Sequence, residues 1–215
     1  MKNKQVIVIG SGGHASVVID ILNQLKIDVA AIYSKEQKND SEIFKNIPFI
    51  FDDQGIPPFK NYDTYLVNAV GSIPGKNHRS EIHERFKLLG FDFLSVIAPS
   101  AIVSMHATLL EGVHIFPLSV VNAGVIIGEG TIVNTGSIIE HDCNIGKHNH
   151  LAPGCNIGGG VSTGNYVHVG LGANIIQGIA IGSNVLIAAG ATAIKNITSQ
   201  EKLYPAKPFL KKNNF

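Results

Sequence analysis

An aliphatic residue recurs at every sixth position between Val103 and Ile187. Fourteen of these fifteen positions hold Val, Ile or Leu, and the exception, Thr163, is also β-branched. Smaller residues recur four positions after the aliphatic ones: Ala107, Val113, Ser119, Val125, Thr131, Ser137, Cys143, Cys155, Val161, Ala173 and Ala191. A period of six excludes an amphipathic helix, whose period is about 3.6 residues. The spacing predicts short strands that wind as three-sided coils of 18 residues, stacked into a parallel β-helix with a continuous apolar core.

Gly or Asn often follows the aliphatic residue directly. These residues are Asn122, Gly128, Asn134, Gly146, Gly158, Gly164, Gly170 and Gly182. Because Gly and Asn tolerate left-handed backbone angles, we expect them to form the tight corners between strands.

The N-terminal part has a different pattern, in which strands alternate with helices. The predicted segments are strands at Val6 to Ile9, Val29 to Tyr33 and Tyr65 to Val70, with helices ending near Lys26 and spanning about Asn77 to Leu89. This alternation predicts a small Rossmann-like parallel α/β sheet. We therefore expect an α/β domain over residues 1–95, a β-helix over 96–197 and a C-terminal tail over 198–215.

Composition narrows the function classes. The net charge is +1 without a cluster of basic residues, so neither nucleic acid nor an anionic membrane is an expected partner. No apolar run is long enough to predict a membrane span. The two cysteines, Cys143 and Cys155, fall in the small inward positions and predict core packing rather than a disulfide framework. We expect a cytoplasmic protein.

The segment Gly10-Ser11-Gly12-Gly13-His14-Ala15 lies between a strand and a helix. Its backbone N–H groups can approach a diphosphate at the positive end of the helix. An NAD site is the competing interpretation, but Tyr33-Ser34-Lys35 stands where an acidic ribose ligand is expected. A turn that only packs the helix on the strand also remains open.

The candidate for acyl-transfer chemistry is His141, which lies between Glu140 and Asp142. Its position two residues after the inward Ile139 predicts that its side chain points away from the core. Histidine is the usual base near neutral pH, and a neighbouring carboxylate can fix its tautomer. A scaffold without catalytic activity is the alternative.

The other histidines carry weaker signals. His150 and His168 are 18 residues apart and should stack at one corner, but no third ligand shares that corner, so no metal site is predicted. We interpret His150 as a cofactor contact. His106, His114 and His148 show no supporting cluster, and His78 and His83 are expected at the surface of the second helix.

The six-residue repeat and three segments, GSGGHA, APSAIV and NTGSIIEHDCNIG, together resemble the sugar-nucleotide acetyltransferases. The most similar type is the UDP-4-amino-sugar N-acetyltransferase of bacillosamine synthesis, and sialic-acid O-acetyltransferases are relatives. The resemblance implies a left-handed β-helix, a homotrimer with active sites between subunits, and acetyl-CoA as co-substrate without a metal. It implies transfer of an acetyl group to the amine of a UDP-linked 4-amino-4,6-dideoxy sugar for surface glycan synthesis, with sugar O-acetylation as the alternative.

The same resemblance assigns roles to individual residues. His141 would be the general base, and Asp142 would raise its basicity. The residues implied to bind the nucleotide sugar are Gly12, Gly13, His14, Ser34, Lys35, Gly71 and Asn134. Those implied to contact acetyl-CoA are His150, Leu171 and Ala189, with the tail Pro205-Ala206-Lys207 beside it. A backbone N–H, that of Gly159, is predicted to stabilise the oxyanion.

Overall fold

The computed structural model describes residues 5–35, 41–52 and 64–206. The N-terminal domain is a five-stranded parallel sheet in the order β3-β2-β1-β4-β5. Its strands are β1 (Gln5–Ile9), β2 (Val29–Tyr33), β3 (Phe49–Ile50), β4 (Thr64–Asn68) and β5 (Asp92–Phe93). Helix α1 (Gly13–Gln24) and helix α2 (His78–Leu88) join the strands, with a 3₁₀ turn at Glu42–Phe44. The predicted parallel α/β sheet is confirmed.

The central strand β1 is buried on both sides because helices cover both faces of the sheet. Val6 and Val8 belong to one apolar core with α1, and this core includes Phe116 from the β-helix. Ile7 and Ile9 point to the opposite side, into a core with Phe86 and Phe93. The alternation of side chains along a strand thus divides β1 between two cores.

The C-terminal part is a left-handed parallel β-helix with three flat faces. We number the faces 1 to 3 in the order in which their first strands occur along the chain. Face 1 contains β6 (Val96–Ile97), β9 (His114–Ile115), β12 (Ile132–Val133), β15 (His150–Leu151), β18 (His168–Val169), β21 (Leu186–Ile187) and β23 (Lys202–Leu203). Face 2 contains β7 (Ile102–Val103), β10 (Val120–Val121), β13 (Ile138–Ile139), β16 (Asn156–Ile157), β19 (Asn174–Ile175) and β22 (Thr192–Ala193). Face 3 contains β8 (Thr108–Leu109), β11 (Ile126–Ile127), β14 (Asn144–Ile145), β17 (Ser162–Thr163) and β20 (Ala180–Ile181).

The strands of each face pair in parallel with an offset of one coil, as the six-residue repeat predicts. His150 pairs with His168, for example, and Asn156 with Asn174. Strands β6 and β23 extend the prism beyond the repeat at both ends, because each pairs with the adjacent coil of face 1. The aliphatic residues and their small partners, including Cys143 and Cys155, form one buried core.

Thr163, the exception in the aliphatic series, is explained by a buried polar contact. The Asn149 side chain donates from Nδ2 to the Thr163 hydroxyl at 2.6 Å and to the Gly164 carbonyl at 3.0 Å. Its Oδ1 accepts the Val167 backbone N–H at 2.7 Å. Each buried polar atom named here therefore has a partner, which removes the cost of interrupting the apolar core.

The glycine prediction was wrong about which residues form the corners. Left-handed angles occur three positions after the aliphatic residue, at Gly124, Gly160 and Asp142 among others. The Gly that directly follows the aliphatic residue has another role, because a Cβ on Gly128 would overlap the backbone of Gly146 in the next coil. Its absent side chain permits the coils to stack closely.

The two domains are joined through α2. The side chain of His83 is 1% exposed, stacks on Phe93 with ring centroids 4.0 Å apart, and lies 3.0 Å from the Glu129 carboxylate of the β-helix. Lys87 donates to Glu111 at 2.8 Å. The prediction that His83 lies at the surface was wrong, because this face of α2 packs against the prism.

Candidate active site

His141 lies at the corner between β13 on face 2 and β14 on face 3. Its Nδ1 is 2.8 Å from Oδ2 of Asp142, and its side chain is 66% exposed. Asp142 adopts a left-handed backbone conformation with φ 58°, which Asp tolerates better than most residues. Because a carboxylate can only accept, this hydrogen bond places a proton on Nδ1 and leaves Nε2 of the neutral ring as a free acceptor.

Glu140, the other acidic neighbour, has a different partner. The Asn122 side chain donates from Nδ2 to Glu140 Oε2 at 3.0 Å, one coil away. Of the two carboxylates that flank His141, Asp142 is therefore the one that orients it.

Gly159 occupies the same corner one coil further along the prism. A Cβ at this position would lie 2.6 Å from Nε2 of His141, so the imidazole rests directly over the glycine. The Gly159 carbonyl accepts from the Gly178 N–H at 2.9 Å, whereas the part of the chain that the structure describes offers no acceptor to the Gly159 N–H. This N–H, the predicted oxyanion donor, thus belongs to the glycine directly under the His141 ring.

A second group of predicted residues meets on face 1. Nδ2 of Asn134 lies 3.1 Å from Nε2 of His150, and His150 contacts His168 edge-on with ring centroids 4.8 Å apart. Burial, with His168 and Arg79 nearby, lowers the pKa of His150 to about 3, so its ring is neutral near pH 7. The stacking of the two histidines is confirmed, but they lie on a flat face rather than at a corner.

His14 joins this group from the N-terminal domain. Its Nε2 is 3.3 Å from Nδ1 of His114, and its ring stacks on Phe116 at 4.9 Å. Burial lowers the pKa of both histidines well below the usual range. No role was predicted for His114, although it lies two coils before His150 in the same register.

The glycine-rich turn opens into a cleft of about 740 Å³. All six residues of the N-terminal domain that were predicted to bind the nucleotide sugar line this cleft: Gly12, Gly13, His14, Ser34, Lys35 and Gly71. Helix α1 begins at Gly13 without a side-chain cap, and a Cβ on Gly12 or Gly13 would meet no atom within 4 Å. The open turn and the uncapped helix suit a diphosphate. Other polar residues of the lining were not predicted as substrate contacts; they include Ser11, Tyr33, His78, Glu81 and Arg85.

Leu171 and Ala189 occupy successive coils at the corner between faces 1 and 2. The Gly190 N–H donates to the Leu171 carbonyl at 2.8 Å, and the Leu171 side chain is 60% exposed. These two residues thus form an exposed edge of the prism, where contacts with acetyl-CoA were predicted. Pro205 and Ala206 follow β23, and Lys207 lies outside the described residues.

One chain does not bring all of these residues to one place. The cleft, Asn134 and His150 lie on or beside face 1, whereas His141 and Gly159 lie at the corner between faces 2 and 3.

Comparison with known proteins identifies the family. The PglD N-terminal domain family matches residues 5–86. The structure of PerB from Caulobacter crescentus, in complex with CoA and GDP-perosamine, is 33% identical, covers 91% of each chain and has a TM-score of 0.80. A mutant perosamine N-acetyltransferase from the same organism, again with CoA and GDP-perosamine, is 30% identical over 92% of each chain with a TM-score of 0.81. No curated protein sequence matches the chain significantly.

The acetyltransferase domain of PglB from Neisseria gonorrhoeae FA1090, in complex with acetyl coenzyme A, is also similar. It is 29% identical, with 96% of this chain and 100% of that domain covered, and the TM-score is 0.83.

The chain belongs to the hexapeptide-repeat sugar-nucleotide N-acetyltransferases.

Family membership decides two alternatives that the sequence left open. The glycine-rich turn belongs to an acetyl-CoA-dependent acetyltransferase rather than to an NAD enzyme, and the β-helix is not a scaffold without activity. Within the described ranges of this acetyltransferase, no group of three or more His, Cys, Asp or Glu side chains is placed to hold a metal. Neither α1 nor α2, the two α-helices in those ranges, has the length and apolar character of a membrane span.

Proposed function

We propose that this acetyltransferase moves the acetyl group of acetyl-CoA to the amine of a UDP-linked 4-amino-4,6-dideoxy sugar, in surface glycan synthesis. His141 is the general base, and the observation that carries this role is its hydrogen bond to Asp142 with Nε2 directed over Gly159. Acyl transfer requires a base and a hydrogen-bond donor for the oxyanion. His141, with its fixed tautomer, and the backbone N–H of Gly159 provide these two groups.

The proposed reaction is a direct transfer. The sugar amine attacks the thioester carbonyl while Nε2 of His141 takes its proton, so that a C–N bond forms and the C–S bond breaks. The Gly159 N–H donates to the oxygen that becomes negative during the attack. His141 then returns the proton to the sulfur, and CoA leaves as the thiol.

We further propose that the active site lies between subunits of a homotrimer. A sugar nucleotide held in the cleft lies beside Asn134 and His150 on face 1, and His141 of the same chain is at another corner of the prism. A neighbouring subunit packed against face 1 would supply the missing His141. Leu171 and Ala189 then line the groove for acetyl-CoA.

The choice of UDP follows the resemblance to the UDP-4-amino-sugar N-acetyltransferases of bacillosamine synthesis. Lys35 lines the cleft and can only donate hydrogen bonds. The carbonyl oxygens of uracil accept such bonds, but so do O6 and N7 of guanine, so this side chain is compatible with either base. PerB binds GDP-perosamine, so the UDP and GDP forms of one amino sugar are the substrates to compare.

The variant His141→Ala tests the proposed base. We expect kcat to fall by about 10²–10⁴-fold while the fold is retained, because the side chain is exposed and packs only over Gly159. The measurement is release of CoA thiol with UDP-linked amino sugars, and circular dichroism checks the fold. Asn122→Ala, which removes the partner of Glu140 instead, is the matched control with a small effect. Nearly normal turnover of His141→Ala would refute the role of His141.

A substrate panel tests the acceptor. We expect turnover of the UDP-linked amino sugar to exceed that of its GDP-linked form, and sialic acid to be a poor acceptor because it offers hydroxyl groups. Preference for sialic acid would instead support sugar O-acetylation.

A further inference from the structure

A second cavity of about 180 Å³ lies between the segment before α2 and the upper coils of face 1. Its described lining includes five basic side chains, Lys76, Arg79, His148, His168 and Lys202, and no acidic residue. It shares only Ser72 and Ile73 with the cleft at the glycine-rich turn. The proposed acetyl transfer uses none of these five side chains.

Arg79 is the unusual member of this group. It is only 7% exposed, and its Nη1 donates to the backbone carbonyls of Asn68 and Val70, the latter at 2.8 Å. Nε and Nη2 are buried, and no described residue is a hydrogen-bond partner of either nitrogen. These two nitrogens form one edge of the guanidinium group, with parallel N–H bonds that match two oxygens of a single oxyanion.

The charge of Arg79 also lacks a counter-ion in the part of the chain that the structure describes. Among the residues that the structure describes, no carboxylate lies within 4.0 Å of its nitrogens. Burial lowers the pKa of Arg79 to about 9, with no acidic neighbour to offset the effect. A buried charge without a counter-ion is costly, and an anion beside it removes that cost.

Two further features of the cavity favour an anion. Helix α2 begins here without a side-chain cap, so its positive end is open. Nδ1 of His168 is buried, has no partner among the described residues and can serve as a donor, whereas His148 donates from Nε2 to Glu84 at 3.4 Å.

We propose that this cavity is a second anion site that binds a phosphate group, separate from the nucleotide cleft, with the free edge of Arg79 as its main contact. Lys76 and Lys202 add positive charge at the exposed side of the site. The shared chemistry is phosphate, and it has two possible sources: a free small phosphorylated molecule, or the 3′-phosphate of CoA.

Titration calorimetry of the full chain with inorganic phosphate tests the site without any assay of acetyl transfer. We expect phosphate to bind, and Lys202→Ala and Lys76→Ala each to weaken binding by about fivefold. Arg79→Lys keeps the charge but loses the two parallel N–H donors of the guanidinium group, and should weaken binding by at least about tenfold. Lys195→Ala removes an equivalent exposed charge that does not line the cavity, and should change nothing. If Arg79→Lys does not fold, the two lysine variants still decide the outcome.

Competition identifies the source of the phosphate. Displacement by CoA but not by dephospho-CoA assigns the site to the 3′-phosphate, and retention of phosphate in the presence of both assigns it to a free phosphorylated molecule. Either result supports the site. Displacement by UDP, absence of binding, or equal binding by Lys202→Ala, Lys76→Ala and the unmodified chain would overturn it. A crystal structure with phosphate only at the glycine-rich turn would do the same.

Discussion

At the scale of single residues, the proposed chemistry depends on what surrounds His141. Asp142 fixes the ring through Nδ1, and Gly159 provides the space under Nε2. Neither contact involves a buried side chain, so changes at these positions should affect catalysis more than folding. Variants at these positions should therefore change the catalytic rate without changing the stability of the enzyme.

The variant Gly159→Ala tests whether a change at this corner affects the catalytic rate and not the stability. The added Cβ would lie 2.6 Å from Nε2 of His141, so the imidazole must move away from the reacting nitrogen. We expect kcat to fall by about 10²-fold, since displacements of about 1 Å can cost that much, with little change in the melting temperature. In a His141→Ala background there is no imidazole to displace, and the same change should leave the residual rate unaltered. An equal loss in both backgrounds would contradict the assignment.

At the scale of the repeating elements, the coils use glycine for two different reasons. Gly128 permits close stacking, because its Cβ would overlap the backbone of the next coil. Gly136 has φ 66° and open space around its Cβ, so it serves only the backbone conformation of the corner. Both kinds of glycine recur within the six-residue unit, and substitution by alanine should affect stability differently at the two positions.

We expect Gly128→Ala to lower the free energy of unfolding by about 3 kcal/mol or more, since the paired backbone cannot move aside. Gly136→Ala should cost about 1–2 kcal/mol, because only the left-handed angle is unfavourable. Urea unfolding of the two variants, at equal chain concentration, measures this difference. Similar losses would show that close stacking of the coils is not what requires Gly128.

At the scale of the whole molecule, the junction between the domains buries several neutral histidines. Burial lowers the pKa of His14, His114 and His150 in the folded chain. Unfolding returns each to about 6.5. The unfolded chain therefore takes up protons first as the pH falls, and the folded state loses stability below about pH 6.5.

Acid stability tests this directly. Each of the three histidines becomes protonated in the unfolded chain around pH 6.5 and should contribute about 1.4 kcal/mol over the interval from about pH 7.5 to pH 5.5, so the free energy of unfolding should fall by about 4 kcal/mol. Urea unfolding at a fixed chain concentration measures the slope, which His114→Gln should reduce by about one proton. A stability that is constant across this range would mean that the histidines are not buried as neutral groups.

The proposed trimer makes a prediction of its own. If each site combines His141 of one subunit with the cleft of another, two inactive variants should complement each other. An equimolar mixture of His141→Ala and Gly13→Asp chains, unfolded and refolded together, should recover about a quarter of the wild-type rate if the subunits assemble at random. Separately refolded samples mixed afterwards are the control. No recovery in a confirmed mixed oligomer would exclude a shared site.

The sequence by itself determined the β-helix, because a six-residue period leaves no other regular backbone that buries every aliphatic residue from Val103 to Ile187. It also determined the α/β sheet, whose strands and glycine-rich turn are local patterns. The contacts of His14 with His114, of His83 with Glu129, and the unbalanced charge of Arg79 were decided only by the tertiary structure. These contacts join segments that are distant along the chain, and no local pattern specifies how two domains pack against each other.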